Sequence, residues 1–342
     1  MTAVLAHNAS DRKAETWAGQ LAPFERLEFA VSDAAKGISA AVSRLARARR
    51  DTPSAPTLEH GLDLFHTTME ARRVLARHWR HAEAAWEKAE AAEAAVARAK
   101  RQGLDARGVS RTAHAAWRSA VASLEQFERL EAAWNRAHAA LDRFTPEGRL
   151  NDRVRAESEI AATRPALAGS EWSKVRNFLD DPRSLRFLDR MHRRLEEAEP
   201  RADWRASLAW RWWLRHGRPK PADPLTASIR SVGRHGELAP REQRSYDQIA
   251  AVLKDTVRAS SAVECLNSVL RMQQSRHRRM TQPMLDLKRL YWNSRVFRSG
   301  PRKTTSPYQA LGLPLPSFDF WDLLQTNPAH LTQQLSTQGN AE

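Results

Sequence analysis

Apolar and polar positions alternate first in "RLEFAVSD", where Leu27, Phe29 and Val31 share one face and Asp33 follows in phase. A period of two is the signature of a strand, so this stretch is predicted to be one, ending at Asp33. "AAKGISAAVSRLARARR" changes period: Ile38, Val42 and Leu45 fall on one side of a helix. "DTPSAPT" reads as a loop, and "LEHGLDLFH" as a second short strand with Leu62 and Leu64 in phase. Upstream, "TAVLAHN" fits a further strand and "DRKAETWAGQL" a helix. The first sixty or so residues therefore have an α/β pattern.

The middle of the chain is helical throughout. From Thr67 to about Gln102, Leu75, Trp79, Ala82, Trp86 and Ala89 step by four and three, the mark of a long amphipathic helix. Gly103 and Gly108 bracket a turn. A second long helix is predicted from about Ser110 to Phe144, with Trp117, Val121, Leu124, Trp134 and Leu141 on its inner stripe. The short connection favours an antiparallel hairpin. "TPEGRL" opens a further helix, with Thr145 as N-cap and Pro146 at the first helical position. The stretch from Ser170 to Leu195 reads as two helices split at Asp181-Pro182, and "WRASLAWRWWLRHG" as an aromatic helix. The expected role of these tryptophans is core packing; stacking on bases is the alternative. One more helix follows Pro240. In "SSAVECLNSVLR", Val263, Leu266 and Leu270 form a helical face with Glu264 directly beside it. "QPMLDLKRLYWNSRVF" is a helix, and a proline-punctuated tail ends in a short apolar one.

Charge narrows the class of partner. Lys+Arg number 55 against 40 Asp+Glu, a net +15 over 342 residues. Ten of the cations lie between Arg271 and Lys303, with Asp286 the one acid. They include Arg271, Arg276, Arg278, Arg279, Lys288, Arg289 and Arg295. Such clustering points to a phosphate-binding surface, and DNA is the expected partner. Cys265 is the single cysteine, which excludes an intrachain disulfide and a cysteine zinc site and suggests a reducing, cytoplasmic setting. No apolar run reaches the ~18 residues of a membrane span, so no membrane partner is expected. "MTAVLAHNASDRKAETW" has no signal-peptide pattern.

Nucleophile elbows, Walker loops and H-E-x-x-H are absent from the sequence. Two acids stand in suggestive settings instead. Asp33 ends an apolar strand, where it could also serve as a helix N-cap. Glu264 flanks a buried helical face, where solvation or a favourable place near the helix N-terminus would also account for it. Two-metal phosphoryl transfer uses carboxylates to hold ions about 4 Å apart.

Three stretches, "DRKAETWAGQL...LEFAVSDAAKGISAAV", "LDLFHTTMEARRVLARHW" and "RASSAVECLNSVLRMQQSRHRRMTQPMLDLKRLYWNSRVFRSGPRKTTSPYQALGL", together resemble the later part of bacterial DDE-type transposases. The resemblance covers roughly residues 10–80 and 255–325. It implies an RNase H-like core, incomplete because its first strands are missing, interrupted by a large all-α insertion, so that helix predominates. The expected segments are 1–66 and 251–300 for the core, 67–250 for the insertion and 301–342 for a tail. Asp33 matches the family's second Asp and Glu264 its Glu, making both candidate catalytic residues and ligands of Mg²⁺ or Mn²⁺. "LDLFH" places Asp63 and His66 near the site. No counterpart of the first Asp is found. The implied protein is a truncated, inactive transposase that keeps a DNA-binding surface, with self-association or an N-terminal transposase fragment as further partners and the bacterial nucleoid as its setting. A non-enzymatic helical protein that binds nucleic acid or a partner helix is the competing reading. The first reading requires Asp33 and Glu264 to converge within about 8 Å; the second does not.

Overall fold

The computed structural model describes residues 11, 13–52, 55–216, 239–258, 281–298, 303–313 and 315–331. The chain divides into two compact units, Lys13–Ser261 on one side and Met1–Arg12 with Ala262–Glu342 on the other.

The larger unit opens with α1 (Ala14–Leu21), β1 (Phe29–Ser32), α2 (Lys36–Arg50) and β2 (Glu59–Leu62). The strands are parallel, with Phe29 opposite Glu59 and Ser32 opposite Leu62. A parallel pair needs a crossover, and α2 supplies it, burying Ala41 and Val42. Gly61 lets the strands' side chains close up, because a Cβ there would lie 2.6 Å from the Phe29 ring. This is the two-stranded sheet of the described residues, and the structure is helix-dominated, as expected.

α3 (Leu64–Arg101) and α4 (Arg107–Ala140) form the long antiparallel hairpin. α3 starts three residues earlier than the pattern predicted. Leu64, expected to continue the strand, is the first helical residue because Asp63 caps the helix, accepting the Phe65 N–H. Away from its base the hairpin seam is lined by small residues: Ala82, Ala89, Ala113 and Ala120 are all buried. The expected buried aromatic stripe needs correction. Trp134, near the base, is buried, but Trp79 is 44% and Trp86 38% exposed, and Trp117 is half-buried. They pair across the helices, Trp79 with Phe127 and Trp86 with Trp117, each at 5.1 Å between ring centres. The alanine seam uses up the inward positions, so the rings one position further round lie on the outer flank.

"TPEGRL" is not the start of a helix. Phe144 and Leu150 make an isolated antiparallel bridge. Gly148, at φ +84°, turns the chain there against the Trp213 ring. The helix begins later, as α5 (Arg153–Thr163), capped by Asp152. α6 (Ser173–Leu179) and α7 (Arg186–Ala198) flank a 3-10 turn at Pro182–Leu185, the predicted break. α8 (Ala202–His216) and α9 (Pro240–Asp255) complete the unit. One hydrophobic cluster joins them: Trp172, Leu188, Leu208 and Ile249 pack with Leu62 and Leu64 from the sheet end. The sheet and the helices thus share a core, and α3 runs unbroken across the expected 66/67 boundary.

In the smaller unit the described elements are α10 (Gln282–Ser294), α11 (Pro307–Ala310) and α12 (Phe320–Gln325). "TAVLAHN" and the helix expected around Glu264 lie outside the described residues. Among the described residues no helix is long and apolar enough to cross a membrane.

Candidate functional site

β1 and β2 run in the same direction and end level. The residue after each is an aspartate, Asp33 and Asp63, and the Asp63 N–H donates to the Ser32 carbonyl (2.8 Å). Carboxyl ends of adjacent parallel strands are where open α/β sheets bind ligands. The two acids differ sharply. Asp33 is exposed, and its Oδ1 accepts a long bond from the Ala35 N–H (3.4 Å). It makes a local turn and is not the N-cap of α2, a position held by Ala35. Asp63 is 2% exposed. One oxygen accepts the Phe65 N–H (3.0 Å) and the other pairs with His66 Nδ1 (2.6 Å). His66 itself is half-exposed.

A second chain of contacts supports the strand ends. His60, on β2, lies with Nε2 2.8 Å from Ser32 Oγ, and Arg183 Nη1 donates to its Nδ1 (3.2 Å). Arg183 is gripped in turn by both carboxylate oxygens of Asp181. Arginine only donates, so the neutral ring must carry its proton on Nε2 and give it to Ser32 Oγ. Ser32 passes its own hydrogen to the Asp33 carbonyl (2.8 Å). Burial first, then the Arg183 charge, push the His60 pKa down to about 4. A base for Ser32 would need a free Nε2 lone pair, so this pair is not an activated nucleophile. No local motif marked His60, Ser32 and Arg183, since their segments meet only in the fold.

The Arg258 carbonyl accepts the N–H of Leu64, the neighbour of Asp63 (3.1 Å). Arg258 also bonds the Leu141 carbonyl and pairs with Asp142. Glu264 comes six positions later and lies outside the described residues, as do Arg271, Arg276, Arg278 and Arg279. Lys288 and Arg289 are on α10, both half-buried, and Arg289 is within 3.6 Å of Asp286. Arg295, just beyond α10, is exposed and stacks over the Trp292 and Tyr291 rings (5.6 and 6.0 Å).

Among the described residues no group of three or more His, Cys, Asp or Glu could hold a metal ion. Both oxygens of Asp63 are already engaged by hydrogen bonds, which leaves Asp33 as the open carboxylate. These residues by themselves do not fit a Mg²⁺ pair, which needs several well-placed oxygens.

No protein-family model, curated protein or solved structure matches the chain.

Proposed function

We propose that this chain is a DNA-binding protein built on part of a DDE-type transposase core, which binds duplex DNA and does not cleave it unaided. The observation that carries this reading is the parallel β1–α2–β2 crossover. It sets aspartates at two adjacent strand ends. The basic stretch from Arg271 to Lys303 is the proposed phosphate-contacting surface. Asp33 and Glu264 are the proposed remnants of the catalytic set. Mg²⁺ or Mn²⁺ is their proposed cofactor, held weakly because no residue of this chain is assigned to the family's first carboxylate.

Carboxylates that face bound DNA repel its phosphates when no cation lies between them. In EDTA and low salt, Asp33→Asn and Glu264→Gln should each tighten binding to a long duplex, by about two- to tenfold, the scale of one screened charge pair near a surface. Titration by fluorescence anisotropy measures this. Unchanged affinity in both variants would remove the two acids from the DNA surface and with them the transposase reading.

The exposed Trp79 and Trp86 favour a second reading, a helical protein that docks a partner helix on its hairpin. Under that reading neither acid substitution alters DNA affinity.

A further inference from the structure

Charge is segregated along the α3–α4 hairpin. Residues 98–111, at its tip, hold Arg98, Lys100, Arg101, Arg107 and Arg111 against the single acid Asp105, a net +4. Residues 82–97, immediately below on α3, hold Glu83, Glu87, Glu90 and Glu93 against Lys88, a net −3. All five tip cations are exposed, and none forms an ion pair among the described residues. Asp105, whose carboxylate accepts the Arg107 main-chain N–H (2.9 Å), offsets one of the five charges, so four remain.

Ordinary helix electrostatics account for only part of this. Arg98, Lys100 and Arg101 stand in the last turn of α3, where cations suit the negative end of the helix dipole. Arg107 and Arg111 stand at the opposite kind of end. They occupy the start of α4, which has no acid in its first turn and Ala106 as its N-cap residue, and there the dipole opposes positive charge. Arg107 and Arg111 are also spaced i,i+4, and Arg98 and Arg101 i,i+3, so each pair sets like charges side by side. A cluster that breaks local rules, with a single acid, Asp105, set against five cations, is the mark of a surface shaped by something outside it.

We propose that the hairpin tip is a second binding surface for duplex DNA, acting through its phosphates and without base readout. The inference rests on the DNA-binding reading above and adds a surface to it. α3 is one helix of 38 residues, so at 1.5 Å per residue the tip lies about 57 Å of helix from Asp63. That length corresponds to about 17 base pairs. The acidic stretch below the tip repels the backbone, so binding is confined to the end of the hairpin. The attraction is electrostatic, and its strength follows counterion release.

The test compares the full-length chain with two variants on a 40-base-pair duplex, reading the slope of log affinity against log salt. One variant carries Arg101→Gln, Arg107→Gln and Arg111→Gln; the other replaces Arg276, Arg278 and Arg279 with Ala. Glutamine is a good helix former, and circular dichroism checks that the hairpin is intact. The tip variant is expected to flatten the slope by about 0.9 for each phosphate that is no longer neutralised, up to about 2.7. A tip variant with the parent's slope, while the C-terminal variant flattens, overturns this inference and leaves the DNA-binding reading standing. The reverse pattern keeps the tip and overturns the assignment of the C-terminal arginines. A parent chain with no salt-dependent DNA binding overturns both.

Discussion

His60 shows how much one side chain at the strand ends depends on the rest of the fold. Its neutral form is built in: Arg183 fills the Nδ1 side and Ser32 the Nε2 side, and its pKa is about 4 in the folded chain against 6.5 unfolded. A depressed histidine pKa means that the unfolded chain binds the extra proton first as pH falls. Stability should therefore decline from about pH 6.5 towards 4 and change no further from this group below that. His138, also pushed down by burial and then by Arg258, contributes with the same sign. A His60→Asn variant isolates the first part. Its melting temperature should fall less steeply than the parent's between pH 6.5 and 4.5, and parallel curves would remove His60 as the cause. None of this was readable from the sequence, because His60 and Arg183 are 123 positions apart and a hydrogen bond between distant segments leaves no local pattern. Asp33 was readable, since strict alternation of Leu27, Phe29 and Val31 predicts both the strand and where it stops.

Among the elements, the hairpin was the most predictable and also the place of the largest correction. Apolar positions at steps of four and three, as from Leu75 to Ala89, mark a helix, and both long helices appear close to where expected. Which residues of the stripe face inward is a finer matter, and there the alanines displace the tryptophans. Ala89 is fully buried on the seam, so Ala89→Leu should wedge the helices apart and cost about 1–3 kcal/mol. Ala91→Leu, on the exposed side, should stay within about 0.5 kcal/mol. Chemical denaturation of the two variants checks the contrast, and equal losses would place the seam elsewhere. The missed helix starts share one cause. At Asp63 and at "TPEGRL" the periodic pattern continues past the point where turn chemistry takes over. An aspartate cap begins α3 early, and the Phe144–Leu150 bridge delays α5.

For the molecule as a whole, packing does not follow the expected division at residue 66/67, because α3 runs across it. Leu62 and Leu64 belong to the cluster that holds Trp172 and Ile249, so among the described residues the short sheet gains burial from the helices. Two strands alone are marginal in water, and here the helical body supplies the packing that the two described strands need. The same economy bears on catalysis. A two-metal site needs each carboxylate free to face an ion, yet Asp63 is buried and spends both oxygens on holding α3 and His66 in place. Asp33 is the open acid at the strand ends, and even with the proposed Glu264 beside it two carboxylates leave most of the coordination shell of Mg²⁺ to water. The chain alone should therefore bind Mn²⁺ or Mg²⁺ weakly, with a dissociation constant of about 1 mM or weaker, roughly −4 kcal/mol. Nicking of supercoiled DNA should stay near background in either metal. Asp63→Asn keeps an oxygen for the Phe65 N–H and replaces the carboxylate that meets His66 Nδ1; it should destabilise the fold by about 1 kcal/mol and leave that background unchanged. Metal-dependent nicking that disappears in Asp63→Asn at a temperature where the variant is still folded would reverse this assignment. It would move Asp63 from a structural cap to the third acid of a working site.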